Sequence, residues 1–333
     1  MAVNTLYKTI NIAGKPINGN ILLAPLAGYT DAAFRSLCIE YGAALGFTEM
    51  ISAEAVYRGS IKTLELIRRG DNERDFGIQM FTSSIEAAVS CAQVIEKEAP
   101  FIIDINCGCS VPKILKSGAG AALLQKPRFI GELVKALVNT VSIPVSVKLR
   151  LGWDIHSISY LEAAEAAVRN GASMVSLHPR TRSQGFTGKA DWTHLAELKK
   201  HISVPVIGSG DLFTPEDAEK MLRETHIDGV MFARGAIGNP FIFSRTKSLL
   251  NGDDPVSGNP SAATRLSAAL SQLKMMCAYK PENVACREMR KHIAHYVKGL
   301  FGASEIRHRI NSIETIREYE AMMNGFLARH LDQ

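Results

Sequence analysis

Four apolar runs in this chain close on a polar residue that alternation sets opposite the large aliphatics. In Val145-Ser146-Val147-Lys148-Leu149-Arg150, a period of two puts Val145, Val147 and Leu149 on one face and Ser146, Lys148 and Arg150 on the other. Ile103 and Ile105 oppose Asp104 and Asn106 in the same way, Val175 and Leu177 oppose Ser176 and His178, and Phe76, Ile78 and Met80 oppose Gly77 and Gln79. A β-sandwich with one wet face gives the same alternation, but the segments between these runs are too long and too helical for hairpins. Parallel strands with helical crossovers fit better. Gln79, Asn106, Lys148 and His178 then end their strands around one polar pocket.

Eight runs read as strands: Ile21 to Pro25, Ala44 to Thr48, Phe76 to Met80, Phe101 to Asn106, Val145 to Leu149, Met174 to His178, Val204 to Gly208 and Gly229 to Ala233. Amphipathic helical stretches lie between them, including Ile85 to Glu98, Arg128 to Val141, Ser159 to Asn170 and Thr214 to Glu224. Thr214-Pro215-Glu216-Asp217 sets an N-cap before proline and first-turn acids, and Asn170-Gly171 ends a helix. Eight strands over residues 19 to about 245 predict a (β/α)8 TIM barrel, with a doubly wound sheet as the alternative. Residues 251–260 are turn-rich with little apolar content, so the chain is expected to divide into a barrel domain over 1–250, a linker over 251–260 and a small C-terminal helical bundle over 261–333.

Composition narrows the class. With 333 residues, 46% of them hydrophobic and 21% charged, the chain can bury a full-sized core and carry a second, smaller unit. The first residues show no signal-peptide pattern, and no run reaches about 18 uncharged apolar residues, so a cytoplasmic protein with no membrane span is expected. Six cysteines in a chain this long do not make a disulfide framework. Cys38, Cys91, Cys277 and Cys286 read as small buried hydrophobes. Cys107 and Cys109 lack a second pair at zinc spacing, so no metal is expected. The net charge of +5 is concentrated in residues 261–333, which hold eleven Lys and Arg against seven Asp and Glu.

In a barrel, catalytic groups sit at the C-terminal strand ends and a phosphate is commonly held by the loops after the last two strands. Ile207-Gly208-Ser209-Gly210-Asp211 and Phe232-Ala233-Arg234-Gly235 offer small residues for backbone N–H approach and an arginine to pair with an anion. A tight turn alone also explains the glycines. An inward Lys148 needs an anion: Asp104 is one candidate, and a delocalised anion such as a reduced flavin, also bonded by His178 and Gln79, is the other. The segment Asn106-Cys107-Gly108-Cys109-Ser110 puts a cysteine on a mobile loop over the pocket, where it serves as nucleophile or general acid unless it is inert packing. Gly118 and Gly120 add a weak phosphate-loop signal.

Five motifs, in order, resemble the tRNA-dihydrouridine synthases, bacterial FMN-dependent enzymes of the TIM-barrel type: Ala24-Pro25-Leu26-Ala27-Gly28-Tyr29-Thr30-Asp31, Asp104-Ile105-Asn106-Cys107-Gly108-Cys109, Val147-Lys148-Leu149-Arg150-Leu151-Gly152-Trp153, His178-Pro179-Arg180-Thr181-Arg182 and Met289-Arg290-Lys291-His292. The resemblance implies that Pro25, Leu26 and Ala27 line FMN, that Gln79, Lys148 and His178 contact its ring or ribityl part, and that Ser209, Gly210, Asp211, Ala233 and Arg234 hold its phosphate end. It further implies Cys109 as the catalytic acid, Asn106 and Arg180 on the target uridine, and NADPH or NADH as reductant. The chain departs from the family pattern at Cys107, Ser110, Ser209 and Ala233.

The resemblance implies tRNA as the partner, and the tail is expected to supply the grip on it. At about 100° per residue, Lys291, His295 and Lys298 fall within about 80° of Arg287, with Arg290 at the stripe's edge. Met289, Ile293, Tyr296, Val297 and Leu300 make the opposite, apolar stripe. Glu288 and Glu305 are the only acids within 287–309, which favours a phosphate-backbone surface over a merely solvated face. A monomer is expected. Two other readings remain at this point: a flavin oxidoreductase for free pyrimidines, of the dihydroorotate or dihydropyrimidine dehydrogenase kind, and a non-catalytic RNA-binding barrel.

Overall fold

The computed structural model describes residues 5–253 and 260–330. Eight parallel strands form the centre: β1 (Ile21–Leu23), β2 (Leu45–Phe47), β3 (Phe76–Phe81), β4 (Ile102–Cys107), β5 (Val145–Arg150), β6 (Met174–His178), β7 (Val206–Gly208) and β8 (Gly229–Phe232). Each pairs with the next in chain order and β8 pairs with β1, so the sheet closes into a (β/α)8 barrel and has no free edge. A short extra strand, Ile51–Ser52, pairs beside β3.

Burial explains the alternation. Ile78, Ile105, Val147, Leu149, Val175 and Leu177 face outward into the cluster beneath the surrounding helices and are buried. The inward residues form a second, smaller cluster at the barrel's floor, where Phe47, Ile102, Met174, Ile207 and Met231 meet Ile10, Ile12 and Ile17. Those three isoleucines come from an antiparallel hairpin, Ile10–Ile12 with Lys15–Ile17, which the sequence pattern did not predict. It closes the N-terminal end of the barrel. Above the floor the interior turns polar.

Of the predicted caps, Thr214 forms a reciprocal capping box with Asp217 at the start of Pro215–Thr225, and Gly171 adopts φ +100° after the helix Tyr160–Arg169. The last barrel helix spans Ile242–Asn251. Most of the expected linker, 254–259, lies outside the described residues.

With α1 (Ala32–Glu40) on the barrel, the helices α2 (Ala262–Cys277), α3 (Glu282–Tyr296), α4 (Ala303–Arg309) and α5 (Ile316–His330) form the C-terminal part. Leu273, Met289, Ile293, Tyr296 and Tyr319 are buried there, and Ala33, Leu37 and Phe241 of the barrel belong to the same cluster. Polar contacts tie the two parts together. Asp31 caps α1 by accepting from Phe34 N–H at 3.0 Å, and its other oxygen meets Lys280 Nζ at 3.2 Å. The amide of Ala33 donates to Tyr279 Oη at 3.2 Å.

Candidate active site

Strand register brings the inward polar residues together. Gln79 lies beside Asp104, Asn106 beside Lys148, and Arg150 beside His178. They line a cleft of about 1020 Å³ at the C-terminal mouth of the barrel, which the loop Ala24 to Ala27, the turn Ser209 to Asp211, Ala233 and Arg234 complete. Cys109 lines the same cleft. Arg180, Arg287, Arg290, Lys291 and Lys298 do not.

The interior polar groups satisfy one another in a chain that leaves Lys148 out. Gln79 Nε2 and Ser146 Oγ donate to Asp104 at 2.7 and 2.6 Å, and Asn106 Nδ2 donates to Gln79 Oε1 at 2.8 Å. Lys148 has no hydrogen bond or ion pair with a described residue. Its amine is pushed down to about 8 by burial, with Asp104 opposing the shift, and burial likewise pushes Asp104 up to about 6. Of the two partners open to Lys148, Asp104 is thus engaged elsewhere. Ser176, beside Lys148 in the ladder, has a buried hydroxyl without a partner among the described residues. Burial and the neighbouring charges of Lys148, Arg150, Arg180 and Arg234 push His178 down to about 2, so its ring is neutral at physiological pH.

The turn after β7 fits a phosphate. Gly210 has φ +104°, and a Cβ there would stand 2.7 Å from His178 Cδ2, so only glycine fits. Asp211 follows at φ +57°, held by Arg180 Nη2 at 2.7 Å and Ala190 N–H at 2.8 Å on one carboxylate oxygen. The N–H groups of Gly210 and Asp211 make no backbone hydrogen bond among the described residues and are free for an anion. Burial raises Asp211, but Arg180, Ala190 and Arg234 outweigh it and hold the carboxyl below its usual range. Its charged side chain is thus engaged by Arg180, and its backbone N–H is left without a partner among the described residues.

The cysteine segment is pinned where a mobile loop was expected. Asn106 Oδ1 accepts from Gly108 N–H at 3.1 Å and from Cys109 N–H at 2.8 Å. Arg150 Nε donates to Gly108 O at 2.9 Å, and Ala121 N–H to Cys109 O at 3.0 Å. Gly120 allows that approach, since a Cβ there would meet Cys109 O at 2.8 Å, which gives this glycine a packing reason of its own. Burial raises the Cys109 thiol, with the Val111 amide and Arg150 opposing, so the proton stays on sulfur near neutrality. Cys107 points the other way, fully buried in the outer cluster.

Arg180 is 2% exposed, with donors on Thr187 O, Gly188 O and Asp211 and a contact to His178 Nε2 at 3.3 Å. It braces the loop around the cleft. Sequence reasoning missed Arg150 and Phe186. Arg150 was on Lys148's face of the alternation; its guanidinium also donates to Thr181 O and Gly185 O, spanning two loops. Phe186 is 57% exposed beside His178 and under Arg234, whose guanidinium lies 4.3 Å from its ring; a large exposed aromatic between two glycines was the available signal.

Arg287 on α3 and Lys298 just beyond its end are exposed, whereas Lys291 on α3 is half-buried with its ammonium 5.5 Å from the centre of the Tyr29 ring. Arg290 turns inward: Nη2 donates to Ile313 O at 3.4 Å and Nε is buried without a partner among the described residues.

The family model for dihydrouridine synthase matches residues 22–330. A probable tRNA-dihydrouridine synthase of Treponema pallidum is 42% identical, covering 97% of this chain and 97% of that protein. The tRNA-dihydrouridine synthase B of Pasteurella multocida is 32% identical over 95% of each. Among solved structures, morphinone reductase in complex with tetrahydroNAD superposes with a TM-score of 0.53 at 11% identity, over 78% of this chain and 94% of that one. Histamine dehydrogenase from Rhizobium gives 0.57 at 14%, over 82% and 51%. At these identities the structures support the fold alone.

Proposed function

We propose, for a chain that belongs to the dihydrouridine synthase family, a division of labour in which Cys109 is the acid and Lys148 the flavin-side cation. The protein is an FMN-dependent oxidoreductase that reduces the C5–C6 double bond of uridines in tRNA, with NAD(P)H as the electron source. The observation that carries the assignment of parts is the ammonium of Lys148, left in the cleft without a hydrogen bond to a described residue while its neighbours Gln79, Asn106 and Asp104 are bonded to one another.

FMN, when bound, would supply hydride chemistry for the C5–C6 double bond, with the nicotinamide as the source of electrons. The chain's residues do the rest. The free N–H groups of Gly210 and Asp211, with Arg234, hold the phosphate end, and Pro25, Leu26 and Ala27 supply an apolar wall. Lys148 would provide positive charge against the ring, and neutral His178 and the remaining Nε2 proton of Gln79 would bond it without adding charge. Cys109 gives its Sγ proton to C5. A raised thiol suits an acid, and the four hydrogen bonds on its loop fix where the proton is delivered.

The uridine must leave its stack to reach this depth, so the tRNA backbone has to be gripped nearby. Arg287 and Lys291 on α3, with Lys298 just beyond it, supply that grip, and Asn106 lines the cleft where the base arrives. Arg180 acts by holding Asp211 and the surrounding loop. Among the described residues no helix is long and apolar enough to cross a membrane. The reaction is assigned to the cytoplasm, with the chain acting as a monomer. A free-pyrimidine dehydrogenase gives no use to the cationic helix. Mapping dihydrouridine in tRNA from cells with and without this gene tests the function: loss of the modification at one position is expected, and an unchanged map contradicts it.

A further inference from the structure

A second groove opens beside the flavin cleft, between the barrel mouth and α3, with about 1460 Å³ of empty space. The two share a wall. Arg234 lies 4.3 Å from the Phe186 ring and 5.4 Å from the Phe213 ring, so the guanidinium is held between two aromatic faces, with Phe186 toward the cleft and Phe213 lining both cavities. On the far side of that wall the groove is lined by Tyr29, Arg265, His295 and Lys298. No carboxylate lines it among the described residues. Its two sides are closely docked, since a Cβ on Gly238 of the barrel would come within 2.5 Å of the His295 backbone.

The linings differ in kind from a generic basic surface. Phe213 is 48% exposed despite its size, which costs burial that a purely structural phenylalanine would keep. Tyr29 contacts the Lys291 ammonium and packs edge-on against His292 and His295. Arg265 donates to Lys298 O at 2.7 Å, which orients one cation on the rim beside another. Burial and Lys298 lower His295, which is therefore neutral, so Arg234, Arg265 and Lys298 provide the charge. Aromatic rings for a base and cations for its phosphates make up a single-stranded nucleotide site.

We infer that this groove is a second nucleotide subsite, taking the base and phosphate of a nucleotide adjacent to the reduced uridine, with the base against Tyr29 and Phe213. The inference rests on the tRNA reading of the cleft. It follows from continuity: His295 ends the Arg287–Lys291 face of α3 and Lys298 follows just past its C-cap Val297, and both line the groove, so an RNA strand running from that helix into the flavin cleft passes the groove first. The neighbour then leaves its own stack together with the target, and holding both shares the cost of extrusion between two sites.

The test uses the FMN-loaded full-length enzyme with Tyr29→Leu, Tyr29→Trp and Arg265→Gln. Unmodified tRNA is compared with tRNAs made abasic at each neighbour of the target uridine. Tyr29→Leu and Arg265→Gln are expected to raise KM for tRNA at least about fivefold, on the scale of one lost stack, while leaving kcat and the rate of flavin reduction by NADPH near wild type; Tyr29→Trp restores the low KM. An abasic site at one of the two neighbours should raise KM for the wild type and add nothing in Tyr29→Leu. If KM for NADPH rises instead, the groove belongs to the reductant and the inference fails. It fails equally if neither abasic tRNA differs from the parent. A wild-type enzyme that forms no dihydrouridine in tRNA would overturn the function itself, a separate outcome from active enzyme with indifferent variants.

Discussion

Asn106 Oδ1 accepts the backbone N–H of Cys109 at 2.8 Å while its own amide donates to Gln79 at 2.8 Å, so one side chain aims the acid and joins it to the barrel's interior network. Asn106→Ala removes both links and leaves Gln79 Oε1 without its buried donor. A stability loss of about 1–3 kcal/mol is expected in urea unfolding, together with a fall in kcat larger than the change in FMN affinity. Equal loss of both would mean that Asn106 serves the cofactor and not the acid.

The two cysteines of the segment separate cleanly. Cys109→Ala is predicted to keep its flavin absorbance and lose about 10²–10⁴ in the rate of dihydrouridine formation. Cys107→Ala, which deletes one sulfur from the outer cluster, should cost about 1–2 kcal/mol of stability and little rate. Single-turnover assays on both variants decide it, and the reverse pattern would transfer the acid to Cys107.

Lys148 gives a pH signature. Its folded value lies at about 8, below the ordinary 10.5, so the FMN-free protein carries a penalty below pH 8 that disappears as pH rises from about 8 towards 10.5. FMN favours the ammonium. Its affinity should hold up to about pH 8 and then weaken by up to about tenfold per unit, as followed by flavin fluorescence. Lys148→Met should bind FMN more weakly and show no break in this window. A break of equal size in that variant would assign the titration elsewhere.

The cations on α3 and just beyond it are predicted to differ among themselves. Arg287→Gln and Lys298→Gln should each weaken tRNA binding and lower the slope of log K against log salt by about 1, because both are exposed. Arg290→Gln should leave the slope unchanged and alter thermal stability instead, because its guanidinium points at Ile313 O. Filter binding over a salt series distinguishes them.

Arg35 and Glu73 form an ion pair with both side chains fully buried, and Arg35 also donates to Thr30 O and Arg68 O, bracing the loop that leads to Pro25 and Ala27. Arg35→Met should cost about 3–5 kcal/mol by leaving Glu73 buried and unpaired. Changing both residues to apolar ones should recover most of it, and failure to recover would mean that the loop contacts dominate.

Alternation exposed the barrel because every strand has an outer face against helices and an inner face that is either floor or pocket. It located Gln79, Asn106, Lys148 and His178, whose side chains are inward by period two. It could not reveal the floor hairpin, since Ile10–Ile12 and Lys15–Ile17 are too short to show a period. Nor could it show that Arg180 is buried against His178 and Asp211 behind the cleft lining, because that depends on Asp211 in a left-handed turn from a distant strand. The helical periodicity of α3 placed Met289 and Ile293 inside, yet the docking of Ile313 against it is a tertiary fact, and it is this that draws Arg290 inward.

The most direct measurement is a mass-spectrometric assay of purified, FMN-loaded protein with NADPH and unmodified tRNA, run beside Cys109→Ala. Wild type should convert a uridine to a product heavier by one hydride and one proton, and the variant should retain its flavin and make almost none. No such product from wild type, or equal product from the variant, would contradict an enzyme in which Cys109 protonates a flavin-reduced uridine.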